Sequence, residues 1–189
     1  MKTEHMKKIK DTFSDLPEHW LLLFVINTED YLEKNIAILN EVLKQEDAIV
    51  IYITLNRPYS ALKKILEKNN INTDKLFFID CITKTLDAEK EEKQCLFLEN
   101  PRNLTNLAIA IDEIISAVPS KNKSLFVDSM STLLIYNRVE MVSKFMHVLT
   151  GKIRVLNLNG VLISTEKELD PELDDQLNLL VDKTVDLSK

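Results

Sequence analysis

Apolar residues along this chain come in two rhythms that alternate from end to end. Short unbroken runs such as residues 20–26 (Trp-Leu-Leu-Leu-Phe-Val-Ile) have the length of a strand covered on both faces. Segments with apolar residues every three or four positions have the period of a helix with one buried stripe. After a polar leader (1–19) with Met6, Ile9, Phe13 and Leu16 at helical spacing, expected to lie on the sheet edge, comes the strand at 20–26. Thr28 is placed to cap a helix whose stripe is Leu32, Ile36, Leu39 and Leu43. A second unit follows: a strand over 48–55, a turn at Asn56 and Arg57, and a helix opened by Pro58 carrying Leu62, Ile65 and Leu66.

A third strand is predicted at 75–82, then a charged loop through residue 94 and a short strand at 95–98. Asn100 and Pro101 cap the next helix, marked by Leu104, Leu107, Ala108, Ile111 and Val118 and stopped by Pro119. Leu125, Phe126 and Val127 form a buried strand that ends abruptly in Asp128 and Ser129. From about Asn137 one long helix is expected through Val142, Phe145, Met146, Leu149 and Ile153, passing straight over Gly151; a strand at 153–158 is the alternative. Asn159 and Gly160 read as a turn into a strand at 161–164, Pro171 starts a short helix, and 184–187 closes the sheet. Strands alternating with helices over 189 residues give an α/β three-layer sandwich with a mainly parallel central sheet in one domain spanning the chain.

Composition removes several function classes. A net charge of -6 works against a nucleic-acid binder, whose phosphate contacts need clustered cations. Cys81 and Cys95 sit in apolar runs without metal spacing, as packed thiols of a reducing compartment would. His5, His19 and His147 lie far apart, and Ser129 with His147 lacks the Gly-x-Ser-x-Gly elbow of a hydrolase. No apolar leader or membrane-length run is present, so a soluble cytoplasmic protein is expected. Only two glycines occur, Gly151 and Gly160, and neither a phosphate-cradling loop nor a dinucleotide fingerprint can be written with them.

Four segments together nevertheless resemble the RecA superfamily, and within it the KaiC-type ATPase domains common in archaea. They are Val-Ile-Tyr-Ile-Thr-Leu-Asn-Arg-Pro at 50–58, Leu-Phe-Phe-Ile-Asp at 76–80, Ser-Leu-Phe-Val-Asp-Ser at 124–129 and Leu-Val-Asp-Lys-Thr-Val-Asp-Leu at 180–187. The resemblance implies a P-loop NTPase-like core in which Asp128 stands where a carboxylate helps to hold magnesium. It also implies departures. The glycine-rich loop is replaced by Asn-Thr-Glu-Asp-Tyr-Leu-Glu-Lys at 27–34, whose Glu29 and Asp30 would repel phosphate from the helix terminus. Asn56 and Arg57 stand where the family carries a water-activating acid, and Lys34 is expected on the helix surface.

The expectation is a catalytically inactive domain with no catalytic residue, metal or cofactor, acting through a protein partner or self-association. Asp128, Ser129 and Asp80 are the candidates for a residual ligand or metal site, although strand-end acids more often cap helices. Glu29, Asp30, Asn56 and Arg57, with the 84–94 loop, are the candidate contact surface. The charged stretch 87–93 and the lysines at 2, 7, 8 and 10 are expected to be solvated. The alternative is a nucleotide sensor that binds ATP with magnesium at the mouth beside Asp128.

Overall fold

The structure, a computed structural model, describes residues 2–86, 92–165 and 171–188. Among the described residues seven strands alternate with helices: α1 (Lys2–Phe13), β1 (Leu21–Ile26), α2 (Tyr31–Leu43), β2 (Ile49–Thr54), α3 (Tyr59–Lys68), β3 (Leu76–Asp80), β4 (Cys95–Phe97) and α4 (Leu104–Ala117). Then come β5 (Lys123–Asp128), α5 (Met130–Tyr136), α6 (Val139–Val155), β6 (Asn159–Thr165), α7 (Pro171–Leu180) and β7 (Lys183–Leu187). All pairings between these strands are parallel, in the order β4-β3-β2-β5-β6-β1-β7.

Strand alternation sends neighbouring side chains to opposite faces, and the core is accordingly split in two. Leu22, Phe24, Tyr52, Phe78 and Phe126 pack with α1, α2 and α3, while Leu21, Leu23, Ile51, Ile53, Leu125 and Leu162 pack with α4 to α7. The sheet is thus the middle of three layers. Connections toward β4 run through α2 and α3 on one face, and those toward β7 run through α4, α6 and α7 on the other. Every such crossover therefore has the same hand, as parallel units require.

A chain with two glycines must end its helices by other means, and asparagine supplies them. Asn70 and Asn157 take positive φ (59° and 53°) just after α3 and α6. In each case the paired return bonds of a Schellman motif form, Ile71 N to Leu66 O at 3.0 Å and Leu158 N to Ile153 O at 2.9 Å.

Several expectations need correction. The cap of α2 is Asp30, not Thr28, because the helix starts at Tyr31. Its buried face is Lys34, Asn35, Ile38, Leu39 and Val42, whereas Leu32, Ile36 and Leu43 are only partly buried, Leu32 and Ile36 lining an open groove that reaches Asn69. Asn103, not Asn100, caps α4, accepting from Asn106 N at 3.0 Å. Asn159 and Gly160 lie inside β6, where glycine is needed because a Cβ would stand 2.4 Å from Leu21 Cδ1. The long helix holds through Gly151 to Val155, but α5 before it was not foreseen. The segment after β3 begins with a 3-10 turn, Thr83–Leu86, rather than loop; residues 87–91 lie outside the described residues.

Candidate functional site

Parallel sheets collect strand ends and helix starts along one edge, and ligands bind where adjacent connections leave to opposite faces. The β2/β5 boundary is such a place: the chain leaves β2 for α3 on one face and β5 for α5 and α6 on the other. Register sets Thr54 opposite Asp128 and Tyr52 opposite Phe126, so Tyr52 and Asp128 project to the same face. Asp128 is 2% exposed, and its peptide to Ser129 is cis.

Three donors converge on this carboxylate. Tyr31, from the first turn of α2, donates its hydroxyl to Oδ1. Asn56 Nδ2 donates to the same oxygen at 3.2 Å, and Tyr52 donates to Oδ2 at 2.5 Å. Tyr52 Oη is also 3.0 Å from the Asn35 amide oxygen, while Asn35 Nδ2 has no partner among the described residues. Turning the amide by 180° resolves both, with Asn35 Nδ2 donating to Tyr52 and the single phenolic proton going to Asp128. A rim of hydroxyls continues the network: Thr132 donates to Asn56 Oδ1, Ser129 and Thr132 are 3.0 Å apart, and Ser131 bridges to Ser164 and Thr165.

Burial pushes the Asp128 carboxyl above the ordinary carboxylate range, against the three hydrogen bonds and the nearby Arg57 charge, which pull it down. Burial and Asp128 together push both phenols upward, so they remain proton donors. Three of the carboxylate's roughly four lone-pair sites are thus met by protein donors.

Asp80, the second strand-end acid, does a different job and lies apart from this cluster. Its oxygens accept from Tyr59 N at the start of α3 (2.6 Å), Ile82 N (2.7 Å), Thr83 N (2.8 Å) and the Thr83 hydroxyl. This is the capping role expected of a strand-end acid. Of the expected contact residues, Glu29 is exposed at the head of α2 and Arg57 half-buried after β2. Beside α2, Glu29, Asp30 and Glu33 line an open groove of about 560 Å3, an environment hostile to phosphate.

Lys34 corrects its expected surface position. It is 1% exposed, paired with Asp30 at 2.9 Å, and donates to Asn27 Oδ1 at 3.1 Å and to Leu187 O at 2.5 Å. The lysine thus ties the turn after β1 to the end of β7. Burial holds the Cys81 thiol up at about 12 and raises Cys95 as well, as packed thiols require.

Tyr31 and Tyr52 were missed by sequence reasoning. For Tyr52 a signal existed, because a phenol inside the aliphatic run Ile-Val-Ile-Tyr-Ile-Thr must find a partner when buried. For Tyr31 none did, since its partner depends on how α2 meets β5.

Among the described residues no helix is long and apolar enough to cross a membrane. Solved structures share the architecture at low identity. A KaiC-like protein, PH0186 of the hyperthermophilic archaeon Pyrococcus horikoshii OT3, is 12% identical with a TM-score of 0.63, over 90% of this chain and 73% of that one. An uncharacterized protein of Pyrococcus horikoshii, PH0321, solved in complex with an unknown peptide, is 14% identical with a TM-score of 0.71, over 95% and 82% of the two chains. No curated protein matches. The family of unknown function DUF7504 matches residues 38–187, a span that includes Tyr52, Asn56 and Asp128 but not Tyr31 or Lys34. The fold is KaiC/RecA-like, and the chain belongs to the DUF7504 family.

Proposed function

We propose that this chain is a catalytically inactive KaiC/RecA-like domain that serves in the cytoplasm as a protein-interaction or regulatory module. The observation that carries this reading is the enclosure of Asp128, whose carboxylate is engaged by Tyr31, Tyr52 and Asn56. Phosphoryl transfer depends almost wholly on positioning and on charge stabilisation around phosphate and metal. Here the turn at the head of α2 has carboxylates and no glycine, and Asn56 cannot act as a base. The PH0321 complex adds support, since a protein of the same fold holds a peptide.

The test is phosphate release from ATP with magnesium over hours at high protein concentration. The expected rate equals that of buffer. Steady turnover that Asp128→Asn abolishes would overturn the proposal in favour of an ATP-using protein with a surviving magnesium site.

A further inference from the structure

The two outer layers differ in what they show to solvent. Among the described residues every large, well-exposed apolar side chain belongs to the α4–α7 layer or its connections, and the α1–α3 layer has none. They are concentrated on α6, where Met141 (53% exposed), Val148 (59%) and Val155 (80%) recur every seven residues, with Leu179 of α7 (85%) alongside. Between α6 and α7 runs an apolar groove of about 650 Å3, lined by His147, Val148, Leu179 and Leu180.

A seven-residue apolar repeat keeps facing a second helix that crosses at a shallow angle, and this stripe extends about 21 Å along the axis. The stripe has a property that selects its occupant. Reversed upon itself about Val148, it sets Met141 against Val155 of a second copy and Val148 against its own equivalent. The same reversal brings exposed Glu140 toward Arg154 of the second copy, and Arg154 toward that copy's Glu140. Arg154 contacts Leu180 O and Asp182 through Nη2, and among the described residues its other guanidinium nitrogens have no hydrogen bond. Gly151, with no atom within 4 Å of where a Cβ would stand, leaves room for an aliphatic stem such as that of Lys144. A parallel alignment would instead bring each of these charges against its own kind.

We propose that α6 is a self-association surface on which a second copy of this chain docks its own α6 antiparallel, about a two-fold axis at Val148. This rests on the reading of the domain as an interaction module, and it places the contact away from the strand-end mouth.

Sedimentation velocity over a concentration series tests it with three variants. The wild-type chain is expected to dimerise. Val148→Glu, at an exposed helical position, should raise the dissociation constant at least about tenfold with an unchanged circular dichroism spectrum. Glu140→Arg should weaken the dimer, and adding Arg154→Glu should restore it. A wild-type chain that stays monomeric, a Val148→Glu variant that dimerises as well as wild type, or a double variant no better than Glu140→Arg would each overturn the proposal. None of these outcomes changes the phosphate-release result, which tests the inactive-domain reading separately.

Discussion

Replacing Tyr52 by Phe removes one oxygen and leaves the ring where it is. The ring's packing against Phe126 (centroids 4.9 Å apart) and Phe78 (5.9 Å) is retained, so the change isolates the hydroxyl. That hydroxyl donates to a buried carboxylate, a bond of the charge-assisted kind contributing about 1.5–3 kcal/mol. Its loss also leaves Asn35 without its acceptor, adding roughly 1 kcal/mol. The expected loss at neutral pH is therefore about 2.5–4 kcal/mol, a fall in urea midpoint on the order of 1–2 M at a slope of about 2 kcal/mol/M. The pH dependence carries the sharper test. Asp128 is raised in the folded state, so its contribution is fully present below the unfolded carboxyl pKa and is lost as pH rises through the folded one. The Tyr52 bond lowers the folded pKa, so Tyr52→Phe raises it further and steepens that loss. The penalty should shrink as pH falls and Asp128 takes up its proton, because a protonated carboxyl makes only a neutral hydrogen bond, while the Asn35 contribution of roughly 1 kcal/mol persists. Urea titrations over a pH series from about 8 down into acid decide it: a penalty under about 0.5 kcal/mol at pH 8, or one that does not shrink as pH falls, refutes the enclosed-carboxylate account.

Lys34→Met keeps the aliphatic stem but strands Asp30 and the Leu187 carbonyl, and should destabilise by about 2–4 kcal/mol, with β7 amides the first to lose hydrogen-exchange protection. The two glycines should respond with opposite signs. Gly160→Ala forces Leu21 and Ile153 aside in a packed sheet and should lower stability by about 1–3 kcal/mol. Gly151→Ala, in open space on α6, should raise monomer stability by about 0.5–1 kcal/mol, both read by thermal or urea unfolding.

Local rhythm made most of the sheet legible: the apolar runs at 20–26, 48–55, 75–82 and 125–127 became strands covered on both faces, whereas the edge strand β7 alternates buried and exposed residues. What failed were positions whose local preference yields to tertiary contact. Asn159-Gly160 is a strong turn pair, yet Asn157 makes the turn and Gly160 is held in β6 by the closeness of Leu21. Lys34 looks like a solvated helix residue because nothing nearby in sequence reveals the Leu187 carbonyl, 153 positions later. The strand-end position of Asp128 was readable from the run that precedes it, but its enclosure was not. That enclosure joins Tyr31, the pair Tyr52 and Asn56, and Asp128 from three separate segments, and only topology brings them together.

The central claim is that Asp128 is committed to internal donors and unavailable to a nucleotide-bound metal. Calorimetric titration of the wild-type chain with magnesium and ATP tests it most directly, with Asp128→Asn alongside. The account predicts no saturable heat from either protein. Saturable binding by the wild type that disappears in Asp128→Asn would contradict it.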